Sequence, residues 1–139
     1  MTLEAGTMES FRTGMADSVL REIAADLDVL ARTGECSAID LRSLPLTAVD
    51  RSELEERLGR GDMEAFLTIA GTSEIWETRY AGVWWVRHLG AGHKIAAERI
   101  EITTCPEILT SHPADIAAAG RQLTEDLIDH LSARDAGDA

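Results

Sequence analysis

This chain of 139 residues is poor in the residue types that most often carry chemistry. It has two cysteines, Cys36 and Cys105, far apart and without the spacing of a redox pair or a zinc motif. They are expected as reduced thiols. Aromatics are scarce at 4%, and most fall between Phe66 and Trp85, so core and recognition chemistry are expected there. Basic residues are outnumbered, 13 against 25 acidic, giving a net charge of −12. That excludes the Lys/Arg-rich surfaces that bind nucleic acid or anionic lipid, and it permits a basic partner. No apolar run approaches the ~20 residues that span a bilayer. The N-terminus shows no basic region followed by an apolar stretch. A cytoplasmic protein is expected.

Catalytic motifs are missing too. There is no Gly-x-Ser-x-Gly elbow, and Gly90-Ala91-Gly92 is too short for a phosphate loop and lacks a following Lys-Ser/Thr. His88 and His93 flank one turn, yet nothing nearby completes a tetrahedral set, so no metal and no cofactor are expected. The expectation is a protein that is not an enzyme.

What is present suits one small soluble domain, with 45% hydrophobic and 27% charged residues. Residues 1–14 lack periodicity and are expected to be disordered, as is the polar tail 133–139. Val19, Leu20, Ile23, Leu27 and Leu30 recur at helical spacing and predict an amphipathic helix over Met15–Arg32, ended by Gly34. Ala38 to Arg42 alternates like a strand leading into a bend at Pro45. Thr47 with Asp50 reads as a capping box opening a helix over Ala48–Leu58, stopped by Gly59 and Gly61.

Strands are predicted over Met63–Ala70, with Met63, Ala65, Leu67 and Ile69 on one face, and over Glu74–Arg79, Val83–His88 and Lys94–Thr103. The turns are placed at Gly71-Thr72-Ser73, Ala81-Gly82 and Leu89–Gly92. Connections this short favour antiparallel neighbours. Ser111-His112-Pro113 opens a last helix, on which Ile116, Gly120, Leu123, Leu127 and Leu131 form an apolar stripe. Close packing on the sheet would account for Gly120. The predicted fold is α+β, a mainly antiparallel four- or five-stranded sheet packed against an N-terminal and a C-terminal helix, as a single domain over 15–132.

The central hairpin sorts its side chains by register. A three-residue loop Tyr80-Ala81-Gly82 would pair Arg79 with Val83 and Thr78 with Trp84. Trp76, Thr78, Trp84 and Val86 then share a core face, and Ile75, Glu77, Arg79, Trp85 and Arg87 share the other. Trp85 among charges reads either as a ring resting on neighbouring aliphatic stems or as an interface anchor beside Arg87. The client-binding set expected on the second reading is Arg42, Arg79, Trp85 and Arg87.

Several stretches carry a resemblance. They are Ile39-Asp40-Leu41-Arg42, Leu44-Pro45-Leu46-Thr47 with Asp50-Arg51, Glu77-Thr78, Gly82-Val83-Trp84-Trp85-Val86, Ile100-Glu101-Ile102 and Pro106-Glu107-Ile108. In this order and spacing the chain resembles the C-terminal domain of the HupH/HyaF/HoxQ-type accessory proteins of nickel-iron hydrogenase maturation, in a short, single-domain, HoxT-like form. The resemblance implies a non-catalytic, chaperone-like factor. Its partners would be the iron-sulfur small-subunit precursor, which carries a basic twin-arginine-type leader, and other maturation factors. A metal- or cluster-handling accessory is the alternative, and homo-oligomerisation is left open. The resemblance transfers no catalytic residue.

Overall fold

Helix α1, Met15–Thr33, forms where the periodicity places it and buries Ala16, Val19 and Ile23, with Leu20, Leu27 and Leu30 half-buried beside them. Gly34 closes it in the left-handed conformation at φ 76°, its N–H donating to the Leu30 carbonyl at 2.8 Å. The computed structural model describes residues 11–68 and 71–137.

Helix α2, Ala48–Leu58, opens with the expected capping box. The Asp50 N–H donates to Thr47 Oγ1 at 3.0 Å, and the Thr47 N–H donates to Asp50 Oδ2 at 3.1 Å. Residues 11–14, expected to be disordered, are tied to this cap. Thr13 donates its N–H to Asp50 Oδ1 at 2.8 Å and its hydroxyl to Oδ2 at 2.6 Å, and Thr47 Oγ1 donates to the Phe11 carbonyl at 2.6 Å.

Asp50 is thus a buried carboxylate that accepts several hydrogen bonds. Burial pushes its pKa up, but the bonds from Thr13 and Thr47 prevail and hold it down at about 2, from an ordinary 3.8. A carboxylate pKa lowered by folding contributes stability that is complete above the unfolded value and lost as pH falls through the folded one. The stability gap between the native protein and Asp50→Asn is therefore expected to be constant above about pH 5 and to shrink between about pH 4 and pH 2. Denaturant melts across that range check this; a gap that does not change with pH would contradict it.

The five strands are β1 Ser37–Asp40, β2 Glu64–Leu67, β3 Thr72–Glu77, β4 Val83–Leu89 and β5 Ile95–Ile102. They form one sheet in the order β1-β5-β4-β3-β2, and every neighbouring pair is antiparallel. Strands β2 to β5 make the expected meander, and β1 adds an edge beside β5. Strand β3 begins inside the turn expected at Gly71-Thr72-Ser73: Thr72 and Ser73 already pair with Leu89 and His88. Ile69 and Ala70, assigned to the first of the predicted strands, lie outside the described residues. Arg42 is not on a strand. The Asp40 carboxylate accepts the Arg42 N–H at 3.0 Å, which ends β1 and winds Leu41–Ser43 into one 3₁₀ turn.

The hairpin between β3 and β4 corrects the expected register by one residue. Trp76 pairs with Trp85 and Glu77 with Trp84, leaving Arg79 in the loop. Two local bonds account for this. The Arg79 N–H donates to the Leu58 carbonyl at 2.9 Å, satisfying the end of α2 and removing Arg79 from the ladder. Buried Thr78 donates its hydroxyl to the Val83 carbonyl at 2.9 Å and accepts the Tyr80 N–H at 3.2 Å. Gly82 is left-handed as expected, at φ 88°, and a Cβ there would stand 3.2 Å from a Leu27 methyl.

One face of the sheet meets the two helices. Ile39, Trp76, Val83, Trp85, Ile100 and Ile102 pack with Val19, Ile23, Leu54 and Leu58 in a single core cluster. Ile75, Trp84 and Val86, alternating with these, point to the opposite face and are buried there. Trp76 and Trp84 are both buried as expected, but on opposite faces. Trp85, expected on the charged face, is core.

The chain divides into two compact units, the first ending at Pro106 and the second starting at Glu107. The second unit contains α3, Pro113–Gly137, with Pro113 at its first position as predicted. His112 Nδ1 accepts the Ala114 N–H at 3.1 Å. The helix continues through residues expected to form a disordered tail. Ile116, Gly120, Leu123, Leu127 and Leu131 of the predicted stripe all lie on this helix.

Candidate functional site

Strand alternation places Glu74 and Trp76 of β3, Trp85 and Arg87 of β4, and Glu98 and Ile100 of β5 on the helix-facing side. Glu98 is buried, a carboxylate in the same register as Ile100 and Ile102. Burial of a charge is costly unless it is paired and its lone pairs are filled. Here they are filled. Oε2 accepts from Arg87 Nε at 2.7 Å and from the Trp85 indole N–H at 2.9 Å, and Oε1 accepts from Arg51 Nη2.

Arg87 extends the network to Glu55 at 3.4 Å and Glu74 at 3.6 Å. Its guanidinium lies 5.0 Å from the Trp76 ring centre, and Arg60 lies 4.0 Å from the same ring. The rings of Trp76 and Trp85 stack at 5.5 Å and 8°. The result is a rigid layer of indoles and guanidiniums between sheet and α2. Both Glu98 oxygens in it are occupied by guanidiniums and an indole.

Arg51, one turn into α2, carries this order to the surface. It lines a recess of about 220 Å³ with Arg42, Leu41, Leu44 and Leu46. Its pKa lies below the ordinary arginine value, chiefly because it is partly buried, and then because Arg87 and Arg42 repel it; Glu55 offsets part of this. A second recess, of about 230 Å³, opens between α1 and the hairpin loop. It is lined by Leu20, Ile23, Ala24 and Leu27, with Arg57 and Tyr80.

The four residues expected to contact a client are not brought together on one exposed face. Trp85 is fully buried, and the indole–Glu98 bond fixes it inward, so it is no surface anchor. The Arg87 side chain is only 17% exposed and is held by carboxylates. Arg42 is exposed at the first recess, its Nη1 donating to the Ile95 carbonyl. Arg79 is exposed near the second, with its guanidinium bonded to the Arg57 carbonyl and 6.0 Å from the Tyr80 ring. Gly59 leaves room for it: a Cβ there would lie 2.6 Å from Arg79 Nε.

The sequence pattern does not single out Arg51, Arg60 or Glu98 as site residues. One signal was available for Glu98, which sits two and four residues before Ile100 and Ile102 and so falls on the apolar side of its strand. His88 Nδ1 is 2.6 Å from the Ser73 hydroxyl. Among the described residues no group of three or more His, Cys, Asp or Glu could hold a metal ion. No helix among them is long and apolar enough to cross a membrane.

Comparison with known proteins places this architecture. The family described as "HupH hydrogenase expression protein, C-terminal conserved region" matches residues 14–129. The chain belongs to this family. The solved structure of hydrogenase expression protein HupH from Thiobacillus denitrificans ATCC 25259 is similar, with a TM-score of 0.82 and 41% identity over 86% of this chain and 99% of that one. Hydrogenase expression/formation protein HoxQ of Azotobacter vinelandii is 28% identical over 88 residues, 63% of this chain and 31% of HoxQ. The chain thus spans about a third of that curated relative's length.

Proposed function

We propose that this HupH-family chain is a non-catalytic accessory in the maturation of nickel-iron hydrogenase, binding the iron-sulfur small subunit or its precursor. Membership of a family of hydrogenase expression proteins supports the maturation role. The observation that carries the binding role is the apolar recess of Leu20, Ala24, Leu27 and Tyr80, open on the surface of a chain with net charge −12. An apolar side chain of the client enters this recess, and the acidic chain favours the basic leader of the precursor. Of the expected client-binding set, Arg79 lies beside Tyr80, which lines the recess.

Calorimetric titration of the purified chain with the leader-bearing small-subunit precursor tests this. Saturable binding is expected. Ala24 is exposed and lines the recess, so Ala24→Arg should fill it without unfolding the protein. That variant is expected to weaken binding by about thirtyfold, the equivalent of a ~2 kcal/mol hot spot. Absence of binding by the folded native chain would defeat the proposal. Elemental analysis of untagged protein showing near one equivalent of nickel, iron or zinc would replace it with a metal-handling role.

A further inference from the structure

We propose that Cys36 and Cys105 form an oxidisable dithiol, a modification site at which a small-molecule disulfide joins the two sulfurs reversibly. Neither cysteine lines the apolar recess, so this assignment is independent of the client-binding reading.

The two cysteines are distant in sequence, and the sheet brings them to one place. The register of β1 on β5 pairs Ser37 with Ile102, which sets Cys36 opposite Thr103 one step further on. Cys105 follows two residues later, past the end of β5 at Ile102. The Thr103 hydroxyl joins them: its oxygen accepts the Cys36 S–H at 3.3 Å and the Cys105 N–H at 3.4 Å. The Cys36 sulfur and the Cys105 nitrogen are therefore no more than two hydrogen-bond lengths apart. Thr103 is buried and donates its own N–H to the Gly82 carbonyl at 2.9 Å, so the meeting point is fixed by the fold.

Both thiols are free and exposed, open to a small reagent. The chain has no other cysteine, so within one chain a disulfide can join only these two. A disulfide needs its two α-carbons within about 7 Å. The ladder holds the Cys36 side, and the Cys105 side has freedom to adjust. Residues 103–105 form a bend beyond the ladder, closed by long bonds of the Thr103 side chain to the Cys105 carbonyl at 3.2 Å and the Cys105 N–H at 3.4 Å. The Cys105 sulfur makes only a weak contact, 3.7 Å from the Pro106 carbonyl. Giving up these contacts turns Cys105 toward Cys36.

The reaction is thiol–disulfide exchange. One cysteine attacks a sulfur of glutathione disulfide, the S–S bond breaks, and one glutathione thiol leaves. The other cysteine attacks the protein sulfur of the mixed disulfide, and the second glutathione thiol leaves. The protein dithiol is oxidised by two electrons, the glutathione disulfide is reduced by two, and the two thiol hydrogens pass to the two glutathiones. The product ties β1, an edge strand with β5 as its one neighbour, to the end of that neighbour.

The test equilibrates the full chain with mixtures of glutathione and glutathione disulfide, quenches it with acid and reads intact masses, once in buffer and once in urea. In buffer the expected product is a monomer lighter by two hydrogens, with a peptide map linking Cys36 to Cys105. Its equilibrium constant should exceed that in urea by at least about tenfold, because the fold supplies the encounter that the unfolded chain must reach by closing a long loop. By linkage the same factor separates the folding constants of the oxidised and reduced chains. Cys36→Ala and Cys105→Ala should each stop at a single glutathione adduct. A native chain that accumulates glutathione adducts without the link, a link formed mainly between two chains, or an equilibrium constant no higher than in urea would each overturn the proposal.

Discussion

Trp85→Ala is expected to destabilise the fold by about 3–5 kcal/mol, in the range for a large aromatic deleted from a close-packed core. Trp85 is fully buried, stacks on Trp76 at 5.5 Å, and donates to Glu98 at 2.9 Å. Its removal opens a cavity between sheet and α2 and leaves a buried carboxylate one hydrogen bond short. Trp84, on the opposite face, has no hydrogen-bond partner for its indole N–H among the described residues. Trp85→Ala should therefore cost at least as much as Trp84→Ala. Trp85→Phe keeps the stacked ring and should cost less than Trp85→Ala. Urea melts of the three variants decide it, and a loss below about 1 kcal/mol for Trp85→Ala would mean that the strand register differs from Trp76 opposite Trp85.

The second large effect is expected at Glu98. Removing one partner of a buried ion pair costs about 3–5 kcal/mol, because the remaining charges stay desolvated. Glu98→Ala strands Arg51 and the Trp85 indole together. Arg87 keeps Glu55 and Glu74, and the Arg51 side chain is 34% exposed and can turn to water, so the lower part of that range, about 3 kcal/mol, is expected. Glu98→Gln retains an acceptor for the indole and should cost less. A double-mutant cycle of Glu98→Ala with Arg51→Ala should give a coupling of about 1 kcal/mol or more. Additive losses would show that the Arg51–Glu98 contact contributes nothing to folding.

The helices facing the sheet were legible because their signals are local. The four- and three-residue steps from Val19 to Leu30, the Thr47–Asp50 box and the glycines at 34 and 59 act within a turn or two of chain. The antiparallel meander was legible from connection lengths. The register of the central hairpin was not, because a contact from outside it decides the register: the Leu58 carbonyl at the end of α2 captures the Arg79 N–H.

A slip of one residue exchanges faces, so this bond, with those of Thr78, places Trp85 in the core and not on the expected surface. Arg42 was misplaced for a similar reason, since the Asp40 side chain competes for its backbone. The charged layer was hidden because Glu98 meets Arg51 and Trp85 only after α2 docks on the sheet. The α3 stripe was legible as helical from its four- and three-residue steps.

The most direct measurement on client binding is hydrogen–deuterium exchange of the chain alone and saturated with the small-subunit precursor. The account predicts added protection in α1 around Leu20–Leu27 and in the Arg79–Gly82 loop, the walls of the apolar recess. A saturated complex that leaves both segments unprotected would contradict it.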